Sequence, residues 1–531
     1  MQLKMTLASM ACVALPTQLI AKQATHQNTP KRPNVIFIYA DDMGKGMISA
    51  YGQKIIQTPN MDRLVNQGVH FENAYGCHYS APARASLLTG YSDCHKGHWQ
   101  KRQGMKYTVS DTAAIAPLEK ELQKESVVLH KGDLYLADVF NKAGYVTGEI
   151  GKLDYGFVTT RKEMKAHGWD HYYGYLDHGR CHGFYPPFLF TDGRIDLIKG
   201  NTRAHCGDYD KAIMADSAKW YKERWDMTGK KVYAQDIFDE KMIQFIKENK
   251  DHPFFLYHPS QLPHGPVGIN YVDDQVKNNP NLTDLEKEYA TMVLRLDKTI
   301  GLLLDELDKQ GISQNTMVVF SADNGHQIYY QHEGRTDFVH DIHTGKTFDH
   351  GDVRYTAENA GDIFDGTLNW SGFKRSNLEG GVHVPLTFYW KGHLAPRACE
   401  SVVSNYDFLS TMADMLNVSI QSQKDGISYL PLLLDAKGTE PDNRFVMVDS
   451  RQGPALIMNN GWKLRFCGPT QTYELYNLTN DPGENKNLAK QYPNKVAQMR
   501  FILDRKTEHT ECRFPFPVGQ PKKDLHKKKN S

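Results

Sequence analysis

The sequence lacks the features of several protein classes. Its charge is balanced, with 63 Lys and Arg against 62 Asp and Glu. No long basic stripe alternates with aromatic residues, so an extended surface for nucleic acid is not indicated. The eight cysteines form no C-x-x-C pair, which argues against a disulfide scaffold and a zinc ribbon. After residue 24 no apolar run approaches transmembrane length, and we predict a chain that does not span a membrane.

The N-terminus has the pattern of a secretory leader. Lys4 precedes an apolar run over residues 5–20, and small residues follow in a polar stretch. We predict that residues 1–24 are a cleaved signal peptide and that the mature protein is periplasmic or secreted. A lipoprotein anchored at Cys12 is the alternative, for which only a short apolar stretch precedes the cysteine.

The order of apolar segments indicates an α/β architecture. Strand-like runs alternate with helical patterns up to about residue 434, which favours a sandwich around a large, mostly parallel sheet. After residue 435, short apolar segments separated by turn residues indicate a small antiparallel sheet, followed by a helix and a basic tail at 522–529. We therefore predict an N-terminal domain over 25–434 and a C-terminal subdomain over 435–531. Strands are predicted at 34–40, 145–150, 254–257, 317–320 and 384–390, and helices at 61–68, 233–248 and 285–310.

The clearest helix follows Thr283. The hydroxyl of this residue can cap the helix, and Glu286 three positions on completes a capping box. Apolar residues then recur with a 3.6-residue period from Tyr289 to Leu307. This stripe indicates a face buried in the core rather than a cofactor site.

Acidic residues follow two of the predicted strands. Asp41 and Asp42 come directly after the strand at 34–40, and Asp323-Asn324-Gly325 comes after the strand at 317–320. Taken alone, each has a simpler interpretation, because paired acids often begin a loop and Asn-Gly is a turn signal. Together they supply three carboxylates and an amide oxygen at strand ends, where ligands of α/β sheets bind. Such a set of hard oxygen ligands suits calcium better than zinc.

A motif between these acids makes the family recognisable. In the stretch from Ser80 to Gly90, the serine stands two residues before Pro82 and four before Arg84, and Thr89 precedes the final glycine. A lone serine before proline is usually a loop residue, but the whole string matches the sulfatase signature. The chain resembles the serine-type bacterial members of the type I sulfatases, in the alkaline phosphatase superfamily. The resemblance runs from about residue 32 to 489 through an ordered series of segments: 34–42, 58–64, 80–90, 151–152, 263–266, 323–325, 374–381, 425–426, 473–478 and 481–482.

This resemblance implies a fold and a chemistry. The fold would be an alkaline-phosphatase-like sandwich carrying a small C-terminal domain. Ser80 would be oxidised to formylglycine by a radical maturase before export. One hydroxyl of the formylglycine hydrate would attack sulfur, and the other would collapse to the aldehyde and expel sulfate. The implied calcium ligands are Asp41, Asp42, Ser80, Asp323 and Asn324.

The remaining implied catalytic residues manage charge and protons. Arg84, Lys152 and Lys374 would offset negative charge on the sulfate oxygens and the leaving oxygen. His264, in the Pro-His-x-Pro segment, is our candidate general acid, because an alkoxide leaves poorly without a proton. A lone lysine is more often a solvated surface residue and a loop histidine is often incidental. Their places in the ordered series favour the functional interpretation.

Two positions depart from the family pattern. Many relatives carry histidine in a sulfate-contacting position where this chain has Asp154, and a carboxylate cannot donate to sulfate unless it is protonated. Asp154 can instead orient Lys152, contact a substrate hydroxyl, or mark a specialised or weakened site. His383 stands where relatives often have arginine, which we interpret as a packing variation.

Two polar segments are candidate walls of the substrate site. The long segment 327–373 is rich in aspartate and histidine but repeats no recognised zinc-ligand spacing. The segment 177–187 combines histidine and arginine with aromatics, which suit the faces and anionic groups of sugars. We therefore predict a sulfated carbohydrate substrate, with Asp154, His178 and His182 as candidate substrate contacts.

Two other functions remain open from the sequence. One is a phosphoesterase of the same superfamily that uses unmodified Ser80 and two zinc ions. The other is an inactive relative that binds sulfated glycans, which Asp154 and the serine at position 80 would both permit.

Overall fold

The computed structural model covers the body of the chain in several ranges. It describes residues 32–95, 133–154, 161–176, 180–202, 226–265, 269, 271–330, 335–337, 340–348, 354–435, 443–450, 452–468 and 470–507. The predicted signal peptide with Cys12, the candidate His178 and the basic tail lie outside these residues. Within them, no helix combines the length and the apolar character needed to cross a membrane.

A ten-stranded mixed sheet forms the centre of the protein, in the order β10-β2-β9-β8-β1-β7-β3-β4-β5-β6. Its strands are β1 (Asn34–Ala40), β2 (Val69–Tyr75), β3 (Val146–Lys152), β4 (His171–Tyr175), β5 (Phe188–Thr191), β6 (Arg194–Leu197), β7 (Phe254–Pro259), β8 (Thr316–Ala322), β9 (Leu386–Trp390) and β10 (Arg397–Ser404). The five consecutive strands β8, β1, β7, β3 and β4 are parallel. Every residue of β1 is buried, as expected for a central strand covered on both faces.

Helices connect and cover the strands. They are α1 (Pro59–Gln67), α2 (Ser80–Thr89), α3 (Leu136–Lys142), α4 (Arg161–Ala166), α5 (Ala234–Asn249), α6 (Asp274–Lys277), α7 (Asp284–Lys309), α8 (Ala357–Ala360), α9 (Glu379–Val382), α10 (Asp407–Leu416), α11 (Leu430–Leu434) and α12 (Pro493–Lys506). The capping box predicted at Thr283 is present at the start of α7, and its apolar stripe from Tyr289 to Leu307 is buried. Helix α7 packs against α1 and α5, so the stripe belongs to the core.

A second, four-stranded sheet follows in the C-terminal part. Its antiparallel strands are β11 (Phe445–Val448), β12 (Ala455–Met458), β13 (Trp462–Cys467) and β14 (Thr472–Asn477), in chain order. Helix α12 packs against β12 and β13. The large, mostly parallel sheet and the small antiparallel sheet together confirm the predicted fold class.

Buried ion pairs connect the two sheets. Lys463 of β13 is fully buried, with its Nζ 2.7 Å from Glu379 Oε1 and 2.9 Å from Glu484 Oε1. His383 contacts the other oxygen of Glu379 at 2.9 Å. The same histidine reaches the backbone carbonyl of Glu72 at 2.6 Å. This position therefore packs at the junction between the sheets.

Candidate active site

Four adjacent parallel strands deliver the candidate residues to one edge of the large sheet. Asp323 follows β8, Asp41 follows β1, and Lys152 is the last residue of β3. His264 lies on the segment after β7, which stands between β1 and β3. Because the strands are parallel, their carboxyl ends meet, which is where α/β sheets bind ligands. Residues distant in sequence are thereby brought into contact.

Asp41 is the centre of the first group of contacts. Ser80 Oγ donates to its Oδ1 at 2.5 Å, and Lys152 Nζ donates to its Oδ2 at 2.6 Å. Arg84 reaches the same Oδ2 at 3.3 Å. Burial would raise the pKa of Asp41, but the charges of Lys152, Arg84 and Lys374 outweigh it and hold that pKa well below its usual range. Asp41 is therefore an ionised, buried carboxylate.

The spacing of the serine motif follows from helix geometry. Ser80 is the first residue of α2, and Arg84 stands four positions later on the same helix face. Pro82 occupies the first turn, where the helix needs no N–H donor. Gly90 ends the helix with a positive φ of 73° that glycine adopts readily. Ser80 and Arg84 are thus fixed side by side on Asp41.

Asp42 organises a second group of contacts. Its φ of 63° is left-handed, a strained conformation that clusters at functional sites. Lys374 Nζ donates to its Oδ2 at 2.6 Å, and Asn324 Nδ2 donates to its Oδ1 at 2.8 Å. The hydroxyl of Tyr329 also donates to Oδ2. His264 Nε2 lies 3.4 Å from this oxygen.

The protonation of His264 follows from its partners. Its Nδ1 faces the carbonyl oxygen of Gly265, which can only accept, so Nδ1 carries the proton. Its Nε2 then accepts a hydrogen bond from Lys374 Nζ at 3.2 Å. Burial, followed by the charge of Lys374, lowers the pKa of His264 to about 4. The imidazole is therefore neutral at neutral pH.

Both oxygens of Asp323 have hydrogen-bond partners, whereas one buried oxygen of Asn324 has none. Asp323 Oδ1 accepts the backbone N–H of Asp42 at 3.0 Å, and its Oδ2 lies 3.3 Å from Arg84. Burial, and then the charge of Asp41, raise the pKa of Asp323 well above its usual range. The amide oxygen of Asn324 is buried without a hydrogen-bond partner. A buried carbonyl oxygen left unpaired is costly, and a cation would satisfy it.

The donor set fits a hard divalent cation. Among the described residues, one group of His, Cys, Asp and Glu side chains brings three potential ligand atoms within 4.8 Å of one another, and it consists of Asp41, Asp42 and His264. Asp323 is outside this group. Calcium takes oxygen ligands, so Asp323 and the unpaired oxygen of Asn324 suit it better than the imidazole does.

The remaining candidates occupy different surroundings. His182 lies at the site, because its ring stacks on that of His264 with centroids 4.0 Å apart and planes 2° apart. Asp154 is fully buried, and its Oδ2 contacts His167 Nδ1 at 2.5 Å. Its backbone N–H donates to Glu149 at 2.7 Å, while Lys152 points to Asp41 instead. A substrate contact for Asp154 stays a prediction.

Two residues at the site were not predicted. Tyr329 belongs to the long polar segment 327–373, in which aspartate and histidine are the residue types that stand out in the sequence. Two of its histidines, His340 and His343, are exposed. Gln261 donates from its buried amide to the carbonyl oxygens of Cys181 and Gly183, at 2.7 and 3.1 Å. Tyr329 stands four residues after Gly325 in a segment without periodicity. Gln261 stands three residues before His264, and that proximity was the one available signal.

Comparisons with known proteins identify relatives of this chain. The family model Sulfatase matches residues 33–418, and the model N-sulphoglucosamine sulphohydrolase, C-terminal, matches residues 369–510. The chain is 25% identical over 545 residues to N-acetylgalactosamine-6-O-sulfatase of Bacteroides thetaiotaomicron, covering 90% of this chain and 93% of that protein.

Solved structures share the fold. That of Ps i-CgsB in complex with k-i-k-neocarrahexaose has a TM-score of 0.64 at 23% identity, covering 92% of this chain and 96% of that one. That of BT4656 in complex with its substrate D-glucosamine-2-N,6-O-disulfate has a TM-score of 0.58 at 20% identity, covering 90% and 97%.

Proposed function

We propose that this chain, which belongs to the sulfatase family and is a sulfuric ester hydrolase, removes sulfate from a carbohydrate. Calcium and a formylglycine at position 80 would carry out this reaction. One observation carries the proposal. Ser80 and Arg84 lie on one helix face against Asp41, with Lys152 on the same carboxylate. The proposed nucleophile position therefore lies among fixed cations at the buried ends of the strands. The B. thetaiotaomicron relative, by its name an N-acetylgalactosamine-6-O-sulfatase, supports a sulfated sugar as substrate.

Calcium is held by oxygen atoms of the strand ends in this proposal. The ligands are Asp41, Asp42, Asp323 and Asn324, with residue 80 completing the set. The bound ion supplies Lewis-acid stabilisation of negative charge on sulfate. The three carboxylates face three cationic side chains: Arg84, Lys152 and Lys374. An added divalent cation leaves a net positive pocket, which favours a sulfate ester.

Position 80 supplies the nucleophile. A formylglycine hydrate carries two hydroxyls, so that sulfate bound through one can be released through the other, which a plain serine cannot do. Asp41 lies 2.5 Å from Ser80 Oγ and can accept the proton of an attacking hydroxyl. Arg84 and Lys152 keep Asp41 ionised, so that its Oδ1 accepts rather than donates in this hydrogen bond.

Lys374 and His264 serve the leaving oxygen. One N–H proton of Lys374 lies between its Nζ and His264 Nε2, at a separation of 3.2 Å. This pair gives one proton to the leaving oxygen as the sulfur–oxygen bond breaks, and the proton that Asp41 took from the attacking hydroxyl later returns to the pair through solvent. His264 therefore acts together with Lys374, because its own Nε2 is unprotonated at rest.

Maturation and export complete the proposal. A radical maturase acts on Ser80 before the predicted signal peptide directs the chain to the periplasm or the outside of the cell. Residues 1–24 and the serine motif support these two steps.

Mass spectrometry of the protein from its native host tests the central step. The peptide containing residue 80 should be two hydrogens lighter and react with hydrazines, and the N-terminus should lack residues 1–24. Ser80→Ala serves as the matched inactive control. A host without the maturase should yield intact Ser80 and no sulfate release. Full activity from wholly unmodified Ser80 would overturn the mechanism and favour a phosphoesterase. Binding of sulfated glycans without turnover by matured protein would favour the inactive relative.

A further inference from the structure

The two stacked imidazoles of His182 and His264 form an unusual contact beside the nucleophile position. Their planes are 2° apart, with 4.0 Å between centroids. His182 ends a short 3-10 turn, Arg180–His182, that follows β4 at a distance in sequence from His264. Two rings stacked this closely are in extensive van der Waals contact, so each restricts the tilt of the other.

Gln261 connects the two backbone segments that carry these rings. Its side-chain amide donates to the carbonyl oxygens of Cys181 and Gly183, which flank His182 on both sides. The backbone carbonyl oxygen of Gln261 accepts a hydrogen bond from the backbone N–H of His264 at 3.0 Å. One fully buried residue thus fixes the backbone that carries each ring.

A second aromatic ring also contacts His264. Tyr329 lies with its ring centroid 5.0 Å from that of His264. A Cβ atom at Gly265 would come within 2.1 Å of the Tyr329 ring, so the backbone and this ring are closely packed. His264 therefore packs against both His182 and Tyr329, with Nε2 directed to Lys374.

We propose that His182 is a positioning residue, which fixes the ring plane of His264 so that Nε2 stays aligned with Lys374 and the leaving oxygen. The inference rests on the proposed function of the Lys374–His264 pair. A misaligned ring would weaken proton delivery to the leaving oxygen and would leave sulfate binding almost unchanged.

The kinetic test compares two aryl sulfates with different leaving groups. Phenyl sulfate needs a proton on its leaving oxygen far more than 4-nitrophenyl sulfate does. His264→Ala should lose more activity on phenyl sulfate than on 4-nitrophenyl sulfate. His182→Ala should reproduce this selectivity with a roughly 5- to 10-fold fall in kcat and little change in KM. The double variant should be no worse than His264→Ala, and His182→Phe, which keeps a stacking ring, should recover most of the activity.

A chemical test reports on the ring without turnover. Diethyl pyrocarbonate should modify His264 several-fold faster in His182→Ala than in the wild type or in His182→Phe, measured by peptide mass spectrometry on unmatured protein. Unchanged modification rates would overturn the positioning role. The positioning role would also be overturned if His182→Ala lost the same factor in kcat on both aryl sulfates while His264→Ala lost more on phenyl sulfate. If His264→Ala itself shows no selectivity, the proposed proton delivery fails, and the modification rates still decide whether His182 holds the ring.

Discussion

Replacing Asp323 with asparagine separates the contribution of calcium from that of the protein's own contacts. The side chain is fully buried, and asparagine keeps an oxygen for the backbone N–H of Asp42, now 3.0 Å away. It removes the negative charge, whose ionisation burial and Asp41 already oppose. It also loses the contact with Arg84, which retains Asp41 and the Ser260 carbonyl. Without calcium, we therefore expect stability to change by no more than about 1 kcal/mol.

With calcium, the two proteins should differ strongly. If the proposed site binds calcium, free calcium at 100 times its Kd should stabilise the folded wild type by about 2.7 kcal/mol. A buried unit charge about 4 Å from another contributes roughly 4 kcal/mol at an effective dielectric constant of 20, and a divalent ion doubles the interaction. Losing one carboxylate can therefore remove the entire calcium-dependent gain. Asp323→Asn should be inactive and nearly insensitive to calcium.

Thermal unfolding in EDTA and in calcium measures this difference directly. The wild type should gain a few degrees in Tm on adding calcium, and Asp323→Asn should not. Asp308→Asn is the matched control, because that carboxylate is exposed and pairs with Lys391 away from the site. A full calcium response in Asp323→Asn would refute the assignment of this residue as a ligand.

Three further perturbations test other parts of the structure. Lys463→Met leaves Glu379 buried without its cation and should destabilise the protein by about 3–5 kcal/mol, with partial recovery when Glu379→Gln is added, as measured by urea unfolding. Burial lowers the pKa of His258 to about 4, so the unfolded chain takes up a proton at this residue at a higher pH than the folded protein does. The contribution of neutral His258 to the free energy of unfolding is therefore complete above pH 6.5 and is lost as the pH falls towards 4. His258→Gln should flatten this part of the stability–pH curve, and an unchanged slope would contradict the reasoning. Asp154→His removes the partner of His167 and should not improve catalysis, whereas a higher kcat on every sulfate ester tested would identify Asp154 as a defect in the sulfate pocket.

The sequence predicted those parts of the fold whose signals are local. The predicted strand 34–40 matches β1, because seven consecutive buried residues make a continuous apolar run. The helix after Thr283 was predictable from its cap and period. The strand predicted at 145–150 continues to Lys152, because Gly151 and Lys152 pair with β4. That extension depends on a neighbouring strand and leaves no local pattern.

Within the site, the sequence predicted only those residues that have a local signal, such as a place at the end of a strand or a helical spacing. The four-residue spacing of Ser80 and Arg84 is a helix repeat, so the sequence itself indicates that they share a face. The partner of Asp154 gave no such signal, because the fold brings His167 to it from thirteen residues further along the chain. Tyr329 likewise reaches Asp42 through the path of a loop, and loop paths follow no period.

Electrostatic balance explains why these tertiary contacts hold the site together. Three buried acidic side chains lie close together, and Arg84, Lys152 and Lys374 each contact at least one of them, so their positive charges offset the repulsion between the ionised acids. The same lysines are the groups that a sulfate ester would need. A bound divalent cation would take over the carboxylates and release lysine N–H groups toward the substrate. Because ion and ester then favour the same arrangement, each must strengthen the binding of the other by an equal factor.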